Sequence, residues 1–193
     1  MTFEEIKAKL KNHTVGIAGA GGLGSNCAIA LARTGIGKLI ISDFDVVNES
    51  NLNRQYFFKN QIGQKKVEAL KENIKRINPD VKITSHDIKL NEHNMVEIYK
   101  DCDVMVEAFD LAEMKKMLIE SFLSEQPETP IVIGIGMAGW GKSNEINFRK
   151  SDNLYICGDE QSEIAGDNPP LAPRVGMVAN MQANAVVEIL LNK

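Results

Sequence analysis

Hydrophobic and polar positions along the chain follow two spacings, one typical of buried strands and one of amphipathic helices. Short apolar runs such as the centre of residues 38–42 are expected of strands covered on both faces of a sheet. Between such runs lie longer segments with apolar residues every three or four positions, as in residues 61–77. The predicted strands are residues 13–18, 38–42, 81–85, 103–110 and 131–136, with weaker predictions at 145–149 and 154–157; the predicted helices are residues 2–11, 23–34, 61–77, 91–100, 111–123 and 174–192.

The order of these elements indicates the fold class. Strands that alternate with helices are typical of right-handed crossovers between parallel strands. We therefore predict an α/β fold of Rossmann-like type, with a mostly parallel sheet and helices on both faces. The 193 residues fit one domain, residues 1–193, and a hydrophobic fraction of 44% is enough for its core. Residues 158–173 are rich in Gly, Pro, Asp and Glu, and they predict a mobile loop.

A glycine-dense turn separates the first strand from the helix that follows it. Gly19, Gly21 and Gly24 match the pattern G-x-G-x-x-G, and Gly22 is an additional glycine. Glycine is needed there for a tight turn, for close approach of backbone N–H groups to a phosphate, and for close packing of the helix on the strand. Asp43 ends the second strand about 20 residues later, where such folds carry a ribose-binding carboxylate. The turn therefore predicts a nucleotide site.

Charged side chains beyond the glycines point to the same edge of the sheet. The polar segment of residues 43–60 is too long for a minimal crossover, and it contains Arg54. Lys65 and Lys66 begin the next predicted helix, where cations oppose the helix dipole unless an anion lies nearby. Asp110 ends a strand at the edge where ligands of open α/β sheets bind. Because Arg and Lys hold phosphate oxygens and carboxylates hold Mg²⁺, the set favours a nucleoside triphosphate with Mg²⁺ over a nicotinamide cofactor.

Composition narrows the classes of partner. The net charge of −4 argues against a nucleic-acid binder, which would carry a basic stripe. The longest apolar runs are too short for a membrane span, and the charged N-terminus is unlike a signal peptide. Cys27, Cys102 and Cys157 have no C-x-x-C spacing, so we expect neither a disulfide framework nor a zinc site. The simplest interpretation is a cytoplasmic protein with no membrane or nucleic-acid partner.

Five segments form a pattern more specific than the glycine motif alone. They are residues 19–24 (Gly-Ala-Gly-Gly-Leu-Gly), 43–45 (Asp-Phe-Asp), 50–55 (Ser-Asn-Leu-Asn-Arg-Gln) and 63–67 (Gly-Gln-Lys-Lys-Val), and the strand-ending Asp110. With these segments the chain resembles the E1-like adenylyltransferases of the ThiF, MoeB and HesA group, over about residues 13–136 and less clearly beyond them. The short chain and residues 172–174 resemble the thiamine-biosynthesis ThiF type most.

The resemblance implies an enzyme that uses ATP to adenylate the C-terminal glycine carboxylate of a ubiquitin-like sulfur carrier protein. It implies a carrier with a Gly-Gly end, a ThiS-like carrier of thiamine biosynthesis as the first candidate, and a homodimer. A carboxylate is already ionised at pH 7 and needs no general base, so catalysis consists of positioning and charge stabilisation. Carried over by position, the residues implied are Asp43 for the ribose, Asn51, Arg54 and Lys66 for the phosphates, Asp110 for Mg²⁺, and Gln55 with Gly19, Gly21, Gly22 and Gly24 around the nucleotide.

The chain departs from this family in three respects. Longer relatives carry paired C-x-x-C zinc ligands near the C-terminus, and this chain has none, so we expect no bound zinc. Many relatives have an N-terminal Arg that reaches the partner subunit's site, whereas here the first 32 residues contain no Arg; Arg33 and Arg174 are candidate substitutes. Some members attach the carrier to a Cys, for which Cys157 is the candidate, although an ordinary half-buried thiol is the favoured interpretation.

Several alternatives stay open. The substrate is alternatively a molybdopterin-type, MoeB-like carrier or another ubiquitin-like protein. An NAD-dependent oxidoreductase would leave residues 50–55 without a role, and a non-catalytic nucleotide-binding module would bind ATP without exchanging pyrophosphate into it. Asp110 also has two interpretations, since it is either a metal ligand or an N-cap of the following helix.

Overall fold

The protein forms one sheet of seven strands with six α-helices. A computed structural model describes all residues, 1–193. The strands are β1 (Thr14–Ala18), β2 (Lys38–Ser42), β3 (Lys82–His86), β4 (Val104–Glu107), β5 (Ile131–Gly134), β6 (Asn147–Ser151) and β7 (Leu154–Gly158). The helices are α1 (Phe3–Leu10), α2 (Gly22–Thr34), α3 (Lys66–Ile77), α4 (Glu92–Tyr99), α5 (Ala112–Glu125) and α6 (Ala172–Leu191).

The sheet has the order β3-β2-β1-β4-β5-β7-β6. All neighbouring strands are parallel except β6, which runs antiparallel to β7 at one edge. Helices cover both faces of the sheet. Successive strand residues point to opposite faces and therefore belong to two different hydrophobic cores. Val104 and Val106 pack with α2, α3 and α6, while Met105 between them packs with α4 and α5. The predicted Rossmann-like α/β class is confirmed.

The strand order places a crevice at the carboxyl ends of the two central strands. β1 pairs with β2 on one side and with β4 on the other, so the connections that leave β1 and β4 diverge between them. Ligands of open α/β sheets bind at such a topological switch point. Ala18 pairs with Ser42 and with Glu107, so the loops after β1, β2 and β4 begin at the same level.

Several predicted elements are longer than the observed ones, two of them by four residues or more. The helix predicted over residues 61–77 begins at Lys66, because the backbone before it pairs with the polar segment instead: Val47 N–H donates to Gln64 O and Gly63 N–H donates to Val47 O. The strand predicted to reach residue 110 ends at Glu107. The Glu107 carboxylate accepts a hydrogen bond from Phe109 N–H and turns the chain out of the sheet.

The predicted mobile loop of residues 158–173 is anchored at several points. Arg174, in the first turn of α6, forms a buried ion pair with Asp159. Ala138 N–H donates to Ser162 Oγ, and Gly139 N–H donates to Pro169 O. Polar residues of this segment, such as Asp159 and Ser162, therefore make hydrogen bonds within the protein. None of the helices has the combination of length and apolar character that crossing a bilayer requires.

Candidate functional site

The glycine turn is fixed by contacts between β1, α2 and the end of β4. Gly19 has a φ of +100°, and a Cβ atom on it would lie 2.7 Å from Ala108 O. A Cβ atom on Gly24 would lie 1.8 Å from Gly19 O, so only glycine lets α2 pack this closely on the turn. The first turn of α2 carries no acidic residue, and no side chain caps its N-terminus. Its free N–H groups and positive dipole end therefore remain available to an anion.

Asp43 links the glycine turn to the loop after β2. Its Oδ2 accepts a hydrogen bond from Ala20 N–H at 2.7 Å, and its Oδ1 accepts one from Asp45 N–H at 2.8 Å. The carboxylate is half-buried at the carboxyl edge of β2. Each oxygen keeps lone pairs that can accept further hydrogen bonds, such as those of ribose hydroxyls.

Arg54 lies against the N-terminus of α2. Asn26 Nδ2 donates to Arg54 O at 2.9 Å, which ties this segment to the helix. The Arg54 stem passes 3.7 Å from where a Cβ atom on Gly22 would be. Its Nη1 donates to Ser50 O at 3.1 Å and to Asn53 Oδ1 at 2.8 Å, and no carboxylate pairs with it. The guanidinium charge is therefore not neutralised by a protein anion.

Two amides of the same segment have different surroundings. Asn51 Oδ1 accepts a hydrogen bond from Asn48 N–H at 2.9 Å and closes the turn before Arg54. Gln55 is buried beside Gly21, and its Oε1 has no hydrogen-bond partner. A buried, unpartnered amide oxygen is costly. Gln55 therefore has hydrogen-bonding capacity that a ligand at the glycine turn can use.

Lys66 is almost fully buried, with 5% of its surface exposed. Its Nζ lies 2.7 Å from Asp45 Oδ2, while the neighbouring Lys65 Nζ lies 2.9 Å from Asp87 Oδ2. Both lysines at the start of α3 thus have a carboxylate partner, which satisfies the need for an anion inferred from the helix dipole. Asp45 is half exposed, so Lys66 can exchange this partner for a phosphate without leaving a buried charge behind.

Asp110 follows β4 and makes no hydrogen bond or ion pair, and it is exposed. Helix α5 begins at Ala112, its N-cap is Leu111, and no side chain caps it. The N-cap interpretation of Asp110 therefore does not describe this structure. No group of three or more His, Cys, Asp or Glu residues is arranged to hold a metal. A single free carboxylate fits Mg²⁺, which is commonly held by one or two carboxylates together with substrate phosphates and water.

Sequence reasoning missed a buried ion pair beneath Asp110. Lys115 Nζ lies 2.8 Å and 3.0 Å from the two carboxylate oxygens of Glu107, which is completely buried. Burial raises the pKa of Glu107 above its ordinary value, although the charge and hydrogen bonds of Lys115 act in the opposite direction. The sequence contained one signal that could have predicted this pair, namely an acidic residue, Glu107, at the end of the apolar run that begins at Val104.

The structure separates three other candidate residues from this site. Cys157 is fully buried in β7, and burial raises the pKa of its thiol to about 12, so it is not a ready nucleophile in this conformation. Arg174 is buried by its pairing with Asp159 and cannot reach a second subunit, contrary to its suggested role. Arg33 is exposed in the last turn of α2, at the end of the helix opposite the glycine turn.

Comparisons with known proteins identify similar chains. The chain matches the ThiF family over residues 2–193. It is 29% identical over 197 residues to the adenylyltransferase and sulfurtransferase UBA4 of Scheffersomyces stipitis, a match that covers 97% of this chain and 44% of that protein. It is 28% identical over 189 residues to the molybdopterin-synthase adenylyltransferase of Escherichia coli, covering 94% of this chain and 74% of that protein.

Solved structures show the same fold. The E. coli tRNA N6-threonylcarbamoyladenosine dehydratase TcdA, in a complex with AMP, superimposes with a TM-score of 0.88 and 19% identity, covering 97% of this chain and 90% of that one. E. coli MccB superimposes with a TM-score of 0.74 and 22% identity, covering 96% of this chain and 57% of that one. At these identities the likeness concerns the arrangement of the chain alone.

Proposed function

We propose that this chain, which belongs to the ThiF family, uses ATP to adenylate the C-terminal carboxylate of a ubiquitin-like protein. One observation carries the proposal. Asp43 and Arg54 contact the glycine turn, and the unpaired Asp110 follows β4, the strand beside β1, at the same carboxyl edge of the sheet. The two relatives described above are named as adenylyltransferases, which supports the same reaction here.

Different residues of the site are assigned to different parts of the nucleotide. Asp43 accepts hydrogen bonds from the ribose, and the free N–H groups at the start of α2 face the phosphates. Arg54 offers a planar fork that matches two phosphate oxygens, and Lys66 leaves Asp45 to add a second cation. Asn51 and Gln55 complete the polar lining with their amides.

The reaction needs no general base. The substrate carboxylate, already ionised, attacks the α-phosphorus of ATP with one of its oxygens. An oxygen–phosphorus bond forms, the bond from the α-phosphorus to the bridging oxygen of the β-phosphate breaks, and pyrophosphate leaves with that electron pair. The other product is an acyl-adenylate. Arg54 and Lys66 stabilise the charge that develops on the phosphate oxygens, and this electrostatic contribution is the main one the protein makes.

Asp110 is the proposed ligand of Mg²⁺. A carboxylate facing a polyphosphate is repelled unless a cation lies between them. When bound, Mg²⁺ supplies charge neutralisation and Lewis-acid polarisation of the phosphate oxygens. Asp110 can contribute an oxygen to it without losing any existing contact, since its side chain has no partner in the protein.

The identity of the carrier is a narrower proposal. A ThiS-like sulfur carrier of thiamine biosynthesis is one candidate, because residues 172–174 resemble that type. A molybdopterin-type carrier is the other, because relatives include the molybdopterin-synthase adenylyltransferase of E. coli. The chain spans 44% of the length of the S. stipitis UBA4 relative and 74% of the length of the E. coli relative. The complete activities of those proteins are therefore not assigned to this chain. We also propose a homodimer, on the family resemblance alone.

ATP–pyrophosphate exchange with a panel of purified carriers tests this function. We expect radiolabelled pyrophosphate to enter ATP only with a carrier whose Gly-Gly end is intact, and the same carrier without its last glycine is the control. ATP binding without exchange for every carrier would instead indicate a non-catalytic nucleotide-binding module. Binding of NAD in place of ATP, again without exchange, would indicate an oxidoreductase.

A further inference from the structure

We propose that the buried pair Glu107–Lys115 is a positioning device that holds Asp110 in the orientation required for binding a metal–nucleotide complex. The inference rests on the proposed function, because it assigns Asp110 to the metal. Glu107 is completely buried and cannot touch a ligand, while Lys115 is only 18% exposed and its ammonium is bound to protein oxygens. We assign their effect on a ligand to the turn that carries Asp110.

Lys115 joins three elements at one point. Its ammonium donates to both carboxylate oxygens of Glu107, at the end of β4, and to Gly134 O at 3.0 Å, at the end of β5. Lys115 itself lies one turn into α5. All three hydrogens of the ammonium are used, so its position is determined by these partners. The start of α5 is thereby held against the carboxyl ends of two strands.

Glu107 shapes the turn between β4 and Asp110. Its Oε1 accepts a hydrogen bond from Phe109 N–H at 2.6 Å, which closes the chain over Ala108. Its own backbone carbonyl accepts one from Gln182 Nε2 at 2.9 Å, on the opposite face of the sheet. Ala108 N–H donates to Ala18 O at 3.0 Å. Every residue of the turn before Asp110 is thus hydrogen-bonded, and Asp110 follows with its side chain free.

The cost of burying these charges argues for a role beyond stability. A buried ion pair is frequently no more stabilising than well-packed apolar side chains of the same volume. Here both oxygens of Glu107 and all hydrogens of Lys115 are satisfied, which is what keeps such a pair tolerable. The pair adjoins the turn that carries Asp110, the first unpaired carboxylate after β4.

Helix α5 offers a matched control. Lys116, the next residue, pairs with Glu120 across 3.6 Å, and both side chains are exposed. A Lys116→Met variant removes a lysine from the same helix and breaks a Lys–Glu ion pair on its exposed side. It does so without touching the turn that carries Asp110.

The test measures metal binding directly. Mn²⁺, as a paramagnetic replacement for Mg²⁺, is titrated into protein saturated with α,β-methylene-ATP and followed by electron paramagnetic resonance, and metal-free AMP binding is measured by calorimetry. We expect Lys115→Met to raise the Mn²⁺ half-saturation at least tenfold and Glu107→Gln at least threefold, with AMP affinity changed less than threefold. Lys116→Met should match the wild type, and Lys115→Arg should recover most of the loss. Glu107→Gln, which keeps the shape of the side chain, serves if Lys115→Met does not fold.

Separate outcomes distinguish the positioning role from the proposed function. The inference is overturned if the Lys115→Met and Glu107→Gln variants bind Mn²⁺ within twofold of wild type, or if Asp110→Asn does so. Exchange that needs Asp110 but tolerates Lys115→Met would overturn the inference and leave the function standing. Mn²⁺ binding that depends on Lys115, in a protein with no exchange for any carrier, would support the inference and remove the function. Faster hydrogen exchange at Phe109 N–H in Lys115→Met would support a loosened turn.

Discussion

Replacing Asp110 with Asn separates a role in folding from a role in catalysis. Asp110 is exposed, makes no hydrogen bond, and does not cap α5, whose N-cap is Leu111. Surface substitutions without such contacts change the free energy of unfolding by no more than about 0.5 kcal/mol. In a domain of this size about 1 kcal/mol corresponds to about 2–4 °C in Tm. We therefore expect the Tm of Asp110→Asn to stay within about 2 °C of wild type, measured by calorimetry without ligand.

The effect on catalysis should be far larger. Asn offers a neutral oxygen where Mg²⁺ requires an anionic one, and the lost charge stabilisation is worth several kcal/mol. A loss of about 2.7 kcal/mol corresponds to about a hundredfold in rate. We expect ATP–pyrophosphate exchange to fall by about two orders of magnitude or more, with the largest deficit at limiting Mg²⁺. Unchanged exchange at limiting Mg²⁺ would refute the assignment, and the metal ligand would have to be sought at the half-exposed Asp45.

Four further predictions concern other parts of the molecule. Arg54→Lys should lose at least tenfold in exchange rate with little change in Tm, because a point charge replaces a planar fork; wild-type exchange would remove Arg54 from the site. Purified protein should contain no near-stoichiometric zinc by elemental analysis. Cys157 should react slowly with iodoacetamide in the folded state, since burial raises its pKa to about 12, and rapid labelling without unfolding would contradict this. Burial by itself raises the pKa of Asp159, but hydrogen bonds from the loop backbone and from Ser162, together with the Arg174 charge, outweigh it and hold the pKa below its ordinary value. Its contribution to stability is therefore complete above about pH 4 and is lost as the pH falls through the lowered pKa. Arg174→Met should shift acid unfolding to higher pH, which a series of Tm measurements from about pH 2 to 7 will show.

The local pattern of the sequence was sufficient for the main elements. The strand at Lys38–Ser42 was predicted to the residue, because its apolar centre is bounded by polar positions and glycine precedes it. The glycine turn was predictable for a similar reason. Gly19 indicates a positive backbone φ, and Gly24 indicates a close approach of the helix to the turn that a side chain would prevent. Asp43, which ends its strand, was placed at the carboxyl edge of the sheet by the same strand prediction.

Tertiary contacts decided what local pattern does not contain. The start of α3 at Lys66 depends on backbone pairing with the segment around Val47, and the burial of Arg174 depends on Asp159 in a loop whose composition predicted mobility. Whether Asp110 caps α5 was equally undetermined until the chain path showed Leu111 in that position. Periodicity along the chain reports which side of an element is buried. It does not report which charged group from another element will be buried beside it, because that choice depends on how the elements pack.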